Sequence, residues 1–342
     1  MSNKLIKPKV AVMGVLQDAV KSAIEDRFSY AEMVRSEPFT ENEMISNLQG
    51  FDAILCEPLD SVSPVVMDSC PSLKMVSNRA VGFDNISIAE ASKRGILVCN
   101  TPGVLDDATA DLAFALLLAC SRRICEADRY IRQGKWQGFQ SNLMLGPDLQ
   151  GKTCGIIGMG RIGKTFAKRA IAFGMEIIYT RHSKPDMLDK ELERDMGAKR
   201  VEMVELLSSS DFISIHCPLN RATKNLIGKK ELSCMKETAI LVNTSRGAVI
   251  DQLALLRHLQ AGKIFAAGLD VFEDEPNVPS EFFSLDNVVL TPHIGSACFQ
   301  TRQNISMTAA QAIIDAFSGQ KPKHLLNDEA FEQFLDSVKV KA

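Results

Sequence analysis

One short segment constrains the fold of this chain more than any other. Thr153-Cys154-Gly155-Ile156-Ile157 reads as a buried strand and runs directly into Gly158-x-Gly160-x-x-Gly163, after which residues 162–173 carry the apolar spacing of an amphipathic helix. Each glycine answers a separate demand. The first makes the tight strand-to-helix turn, the second lets backbone approach a pyrophosphate, and the third lets helix and strand pack closely. The helix start then offers unpaired N–H groups to an anion. Gly158, Gly160 and Gly163 are therefore candidate dinucleotide-binding residues.

The surrounding pattern agrees. Strands are predicted at 153–157, 176–180, 212–216, 239–243, 265–270 and 287–290, with helices between them, notably 162–173 and 251–261. An earlier series places strands at 10–13, 53–56, 73–77 and 96–99. Its helices fall at 41–48, where Thr40 and Glu43 have capping-box spacing, and at 86–94, which stops at Gly95. Two successive series in 342 residues predict an α/β protein of two Rossmann/flavodoxin-like, doubly wound parallel-sheet domains with a cleft between them. An Ala/Leu-rich helix from Asp106 is apolar nearly all round, so it is expected to be buried between layers or between subunits. Residues 133–150 read as a long loop, and 297–318 as a long helix followed by an irregular tail.

Composition removes other classes. Lys plus Arg number 39 against 42 Asp plus Glu, a net charge of −3, which argues against a dedicated nucleic-acid binder. The longest apolar run, 112–120, falls well short of the roughly 20 residues of a membrane span. The N-terminal MSNKLIKPKV has no apolar signal core, so no secretion is expected. Nine scattered cysteines without a CxxC pair predict reduced thiols in the cytoplasm and no metal site.

The end of the strand at 176–180 should choose the cofactor. It reads Tyr179-Thr180-Arg181-His182-Ser183-Lys184, with no acid to hold the ribose 2′-hydroxyl of NAD. Arg181 and Lys184 could pair with a 2′-phosphate and Ser183 could donate to it, so NADP is favoured over NAD, the alternative being a solvated basic loop. Three later strand ends carry further polar groups: N-T-S-R-G around Arg246, D-V-F-E-D-E-P around Glu275, and T-P-H-I-G around His293. Carboxyl ends of parallel strands are where α/β enzymes place their chemistry. Each segment has a plain alternative: a surface cation, a solvated acidic run, a core histidine. Their conjunction behind a nucleotide turn favours chemistry.

These segments, together with A-V-G-F-D-N-I (80–86), G-I-L-V-C-N-T-P (95–102), D-A-T-A-D-L-A-F-A-L-L-L-A (107–119), L-V-N-T-S-R-G-A-V-I-D (241–251) and V-V-L-T-P-H-I-G-S-A (288–297), make the chain resemble the D-isomer-specific 2-hydroxyacid dehydrogenases, and among them the glyoxylate/hydroxypyruvate reductases. The resemblance implies reduction of a small 2-oxo acid to the D-2-hydroxy acid by hydride transfer from NAD(P)H. Arg246 would grip the substrate's carboxylate and carbonyl oxygen. His293 would be the acid/base, and Glu275 would orient it. Backbone at Val81 and Gly82 would help hold the carboxylate. Asp270 would bind the nicotinamide amide, and Thr109, Arg161, Ile162, Pro218 and Thr244 would line the cofactor. Residues 1–104 with 298–342 would form the substrate domain and 105–297 the dinucleotide-binding domain. A homodimer is implied, with 106–131 and the long loop in its interface. Reduction of 2-ketogluconate or another longer 2-oxo acid is the alternative enzymatic reading. A non-catalytic, NAD(H)-sensing corepressor-like protein is the alternative outside enzymology.

Two departures stand out. Glyoxylate reductases of this kind often carry a Trp just before the Leu-Gly of the loop, whereas this chain has Ser141-Asn142-Leu143-Met144-Leu145-Gly146 and its Trp at 136. Arg79, just before Ala80-Val81-Gly82, reads as a surface residue in preference to a charge at the substrate mouth.

Overall fold

The computed structural model describes residues 7–35, 37–182, 184 and 186–339. Ser183, named above as a donor to a 2′-phosphate, lies outside them. The chain divides into two compact units, one of Met1–Leu105 with Cys298–Ala342, the other of Asp106–Ala297.

The first unit is built on five parallel strands, β1 (Lys9–Met13), β2 (Ser29–Met33), β3 (Ala53–Cys56), β4 (Met75–Asn78) and β5 (Leu97–Cys99), in the order β2-β1-β3-β4-β5. The short runs β3, β4 and β5 are buried along their whole length, because helices cover both faces of a parallel sheet. Apolar side chains of β1, β3 and β5 divide between two cores, one against the helix Phe299–Phe317 and one against Glu41–Leu48 and Pro64–Ser69. Thr40 and Glu43 form the expected capping box. The helix Asp18–Glu25 and the strand β2 were not anticipated: β2 is an edge strand of half-exposed residues, so it lacks the continuous apolar run that marks a buried one. The expected irregular tail is corrected to a helix, Phe331–Lys339, because Phe334 is fully buried and meets Phe317 edge-on at 5.3 Å. That aromatic contact is tertiary and has no local signature.

The second unit carries seven parallel strands, β6 (Thr153–Ile157), β7 (Glu176–Thr180), β8 (Lys199–Arg200), β9 (Phe212–Ile215), β10 (Ile240–Asn243), β11 (Ala266–Leu269) and β12 (Val288–Leu290), in the order β12-β11-β10-β9-β6-β7-β8. Strand order reverses between β6 and β9, the switch point at which doubly wound sheets bind ligands. The Ala/Leu-rich helix runs Asp106–Ser121 and packs on β10, β11 and the helix Arg161–Ala172, with Ala110, Ala113 and Leu117 buried. The helix Ile124–Arg132 behind it has no buried residue.

Candidate active site

The site grows from strand ends of the second unit. At β6 the glycines do what their spacing requires. Gly158 has φ +98°, and a Cβ there would lie 2.6 Å from the backbone nitrogen of Cys217. A Cβ on Gly163 would strike the Gly158 carbonyl oxygen, so the helix Arg161–Ala172 could not close on the turn. Gly160 differs: a Cβ there would meet nothing within 4 Å. Sterics inside the protein therefore demand the first and third glycines, while the second borders open space where a pyrophosphate fits. No side chain caps the helix that Gly160 begins. Thr244 is 9% exposed, and its buried hydroxyl has no protein partner among the described residues. The turn, the uncapped helix start and this orphaned hydroxyl fit a dinucleotide.

The other cofactor candidates are placed as follows. Arg161 is exposed and lies 3.5 Å from Asp106, Ile162 is half-buried, and Pro218 is exposed. Thr109 is buried near Gly295. Arg181, after β7, is largely buried. Its Nε donates to Asp189 at 3.0 Å, and its Nη2 donates to Asp189 and Asp186. Asp189 also accepts from the Tyr179 hydroxyl at 2.6 Å and from Arg200 at 3.0 Å. The hydrogen bonds from Arg181, first among several, hold the Asp189 carboxyl far below the usual carboxylate range. The Asp189 carboxylate is thus committed within the protein, whereas Asp186 stays half-exposed and Lys184 is exposed.

Three turns carry the candidate catalytic side chains. At β10 the Asn243 amide donates to the Arg246 carbonyl at 2.9 Å, and its oxygen accepts from the Ser245 N–H at 3.0 Å. This Asx turn bends Thr244-Ser245-Arg246 back on the strand end. Gly247 follows, and a Cβ there would run into the Phe272 backbone. Only glycine lets the Arg246 turn lie against the segment that carries Glu275. At β11, Glu275 is 10% exposed, and its Oε1 accepts from the Phe272 N–H at 3.0 Å. Its Oε2 meets Nδ1 of His293 at 2.6 Å. Burial pushes the Glu275 carboxyl up, but the hydrogen bond from His293, the charges of His293 and Arg246, and the Phe272 N–H outweigh it and hold it below the ordinary carboxylate value.

His293 itself has φ +52°, a left-handed conformation that a non-glycine residue adopts at some cost. Asp270 holds it there. The His293 N–H donates to the Asp270 carbonyl at 2.9 Å. The Asp270 carboxylate accepts from the Thr291 hydroxyl at 2.6 Å and from the N–H groups of Ile294 and Gly295, each at 2.8 Å. Burial raises the Asp270 carboxyl above its usual value, and these donors work against that rise. Sequence reasoning missed Asn243 and Thr291 as organisers of these turns; an Asn opening N-T-S-R is a turn signal that was there to be read.

The substrate-loop candidates belong to the first unit. The Val81 and Gly82 carbonyls accept from the Asn100 and Asn78 amides at 2.8 and 2.7 Å. Arg79 corrects the expectation of a surface residue. It is 4% exposed and paired with Glu57, because its position just after β4 aims it under the neighbouring strand ends.

Comparison with known proteins matches residues 114–295 to the family model described as D-isomer specific 2-hydroxyacid dehydrogenase, NAD binding domain. The chain is 50% identical over 291 residues to a glyoxylate reductase of Thermococcus litoralis, covering 84% of this chain and 86% of that one. It is 44% identical over 327 residues to a glyoxylate reductase of Korarchaeum cryptofilum, covering 95% and 97%. Among solved structures, an NADPH-dependent glyoxylate/hydroxypyruvate reductase of Sinorhizobium meliloti, in complex with NADP and malonate, superposes with a TM-score of 0.82 at 31% identity, covering 95% of this chain and 98% of that one.

Proposed function

The chain belongs to the D-isomer-specific 2-hydroxyacid dehydrogenase family, and on that premise we propose that it reduces glyoxylate, hydroxypyruvate or a close 2-oxo acid to the 2-hydroxy acid. The observation that carries this reading is the Glu275–His293 pair, 2.6 Å apart and within the electrostatic reach of Arg246, on the sheet edge that also bears the glycine turn. When bound, the nicotinamide supplies the hydride.

The roles of the chain's own residues follow from their chemistry. A carboxylate accepts hydrogen bonds and does not donate them, so Glu275 keeps a proton on Nδ1 of His293. The other ring nitrogen, Nε2, is left to hold the proton that the carbonyl oxygen receives. Arg246 offers the forked, permanently charged donor set that a carboxylate and its neighbouring carbonyl oxygen require. For the Val81–Gly82 loop we assign backbone N–H donation to the substrate's carboxylate. The two asparagine bonds to its carbonyls support that role by fixing the loop. Asp270 both positions His293 and carries the family's nicotinamide-amide role.

NADPH is the favoured reductant. Lys184, exposed after β7, supports this, as does the presence of Arg181 and not an acid at the strand end where an NAD enzyme holds the ribose hydroxyl. We assign 1–104 with 298–342 to the substrate and 105–297 to the dinucleotide. A homodimer is supported by the exposed Ile124, Ile131, Trp136, Phe139 and Leu145. No described helix is long and apolar enough to cross a membrane, and nine free cysteines support a cytoplasmic setting.

The test is steady-state turnover of glyoxylate and hydroxypyruvate with NADPH and NADH, alongside cofactor binding by fluorescence. Turnover with a higher kcat/KM for NADPH is the expected result. Tight cofactor binding with no turnover of any 2-oxo acid overturns the enzymatic reading, and a clear NADH preference overturns the cofactor assignment.

A further inference from the structure

The roles above leave the buried Arg79 of the first unit unexplained. Strands β3 and β4 end in register at Cys56 and Asn78, so the next residues, Glu57 and Arg79, are neighbours. Their side chains meet as an ion pair of 2.6 Å. Arg79 also donates to the carbonyls of Met13 and Val15, and its Nε is buried without an acceptor among the described residues. An apolar side chain of similar volume would fill this space without desolvating a cation, so packing alone is a poor reason for an arginine here. What the arginine does is hold Glu57. Glu57 is 33% exposed against 4% for Arg79, so the carboxylate is the face of the pair that meets solvent.

Glu57 is tied to the substrate loop. The Asn78 amide donates to the Gly82 carbonyl at 2.7 Å and to Asn85 at 3.2 Å. The Asn85 amide in turn donates to the Glu57 carbonyl at 3.3 Å. One pair of amides therefore joins the backbone of Glu57 to the loop assigned to the substrate's carboxylate. The cations beside it are already paired: Arg79 with Glu57, Arg35 with Asp60, and Lys21 with Glu32. Paired cations do not select a second anion, whereas a part-exposed carboxylate selects a hydrogen-bond donor.

We propose that Glu57, positioned by Arg79, is a specificity residue that accepts a hydrogen bond from a hydroxyl at C3 or beyond of the 2-oxo acid, so that the enzyme favours hydroxylated 2-oxo acids over glyoxylate. This rests on the assignment of the Val81–Gly82 loop to the substrate's carboxylate.

The experiment measures kcat/KM for hydroxypyruvate and for glyoxylate in the wild-type protein, Glu57→Gln and Glu57→Leu, with thermal melts to establish folding. A hydrogen bond to a charged group gives an expected fall of ~10–100-fold in the hydroxypyruvate-to-glyoxylate ratio for Glu57→Leu. It should appear mainly in KM. Glu57→Gln keeps an acceptor oxygen and should lose less, which a merely structural role does not predict. A ratio unchanged in both folded variants overturns the proposal while the reductase reading stands. A wild-type protein that reduces neither substrate overturns both.

Discussion

Replacing Glu275 by Gln tests the candidate site most directly, because the structure supplies the magnitude. The carboxylate accepts two hydrogen bonds with two oxygens, one from His293 at 2.6 Å and one from the Phe272 N–H at 3.0 Å. Glutamine has the same shape but one acceptor oxygen. Whichever donor it serves, the other faces an amide NH2 group in a position only 10% exposed. A hydrogen bond to a charged partner is worth about 1.5–3 kcal/mol, and each 1.4 kcal/mol of transition-state stabilisation is a factor of ten. The expected outcome is a kcat lowered by ~10–150-fold, with KM for the 2-oxo acid changed far less, since Glu275 acts on His293 and not on the substrate. The melting temperature should fall by a few degrees, from the same orphaned donor. Stopped-flow single turnovers, read at the disappearance of reduced nicotinamide, separate the chemical step from product release. A folded Glu275→Gln protein whose single-turnover rate stays within twofold of wild type would show that the pair is structural.

Other substitutions bear on separate links of the argument. His293→Ala should lower kcat by ~10²–10⁴-fold while cofactor binding, followed by fluorescence, is retained; wild-type kcat would assign the proton elsewhere. Gly160→Ala should fold normally, because its Cβ meets nothing, yet bind NADPH at least tenfold more weakly; Gly163→Ala should instead lower the melting temperature, because its Cβ strikes the Gly158 carbonyl. Equal behaviour of the two alanine variants refutes the division of labour among the glycines. Asp189, its carboxyl held down chiefly by Arg181, stabilises the fold fully above the unfolded carboxyl pKa of about 4, and that contribution is lost as pH falls below it. Asp189→Asn should therefore melt several degrees lower at pH 7, with the gap narrowing toward pH 3. A gap independent of pH would mean that the lost stability is steric and not electrostatic.

Much of this molecule is legible in its linear order. Parallel α/β architecture follows from short apolar runs alternating with helical periods. The glycine at 163 follows from sterics with the Gly158 carbonyl five positions earlier. The strand-end placement of Arg246, Glu275 and His293 follows from the segments that precede them. All of these are near-neighbour properties, and hydrophobic period, turn chemistry and capping act over the same few residues. The capping box of Thr40 and Glu43 is of this kind.

What the tertiary structure alone decides is which partner each polar group finds. The acidic run Glu273–Glu275 does not by its own pattern say which carboxyl meets His293; the family resemblance implied Glu275, and the return of the chain after β11 presents it. Arg181 reads as an open cation until Asp186 and Asp189, on the following turn and helix, close on it. Arg79 reads as a surface charge until the register of β3 with β4 sets it beside Glu57. Phe331–Lys339 reads as irregular until Phe334 reaches Phe317. Burial and ion pairing depend on distances in space, and residues that share a sheet edge can be tens of positions apart in the chain. Local preference can say what a segment becomes, but only the packing of several segments determines what its side chains touch.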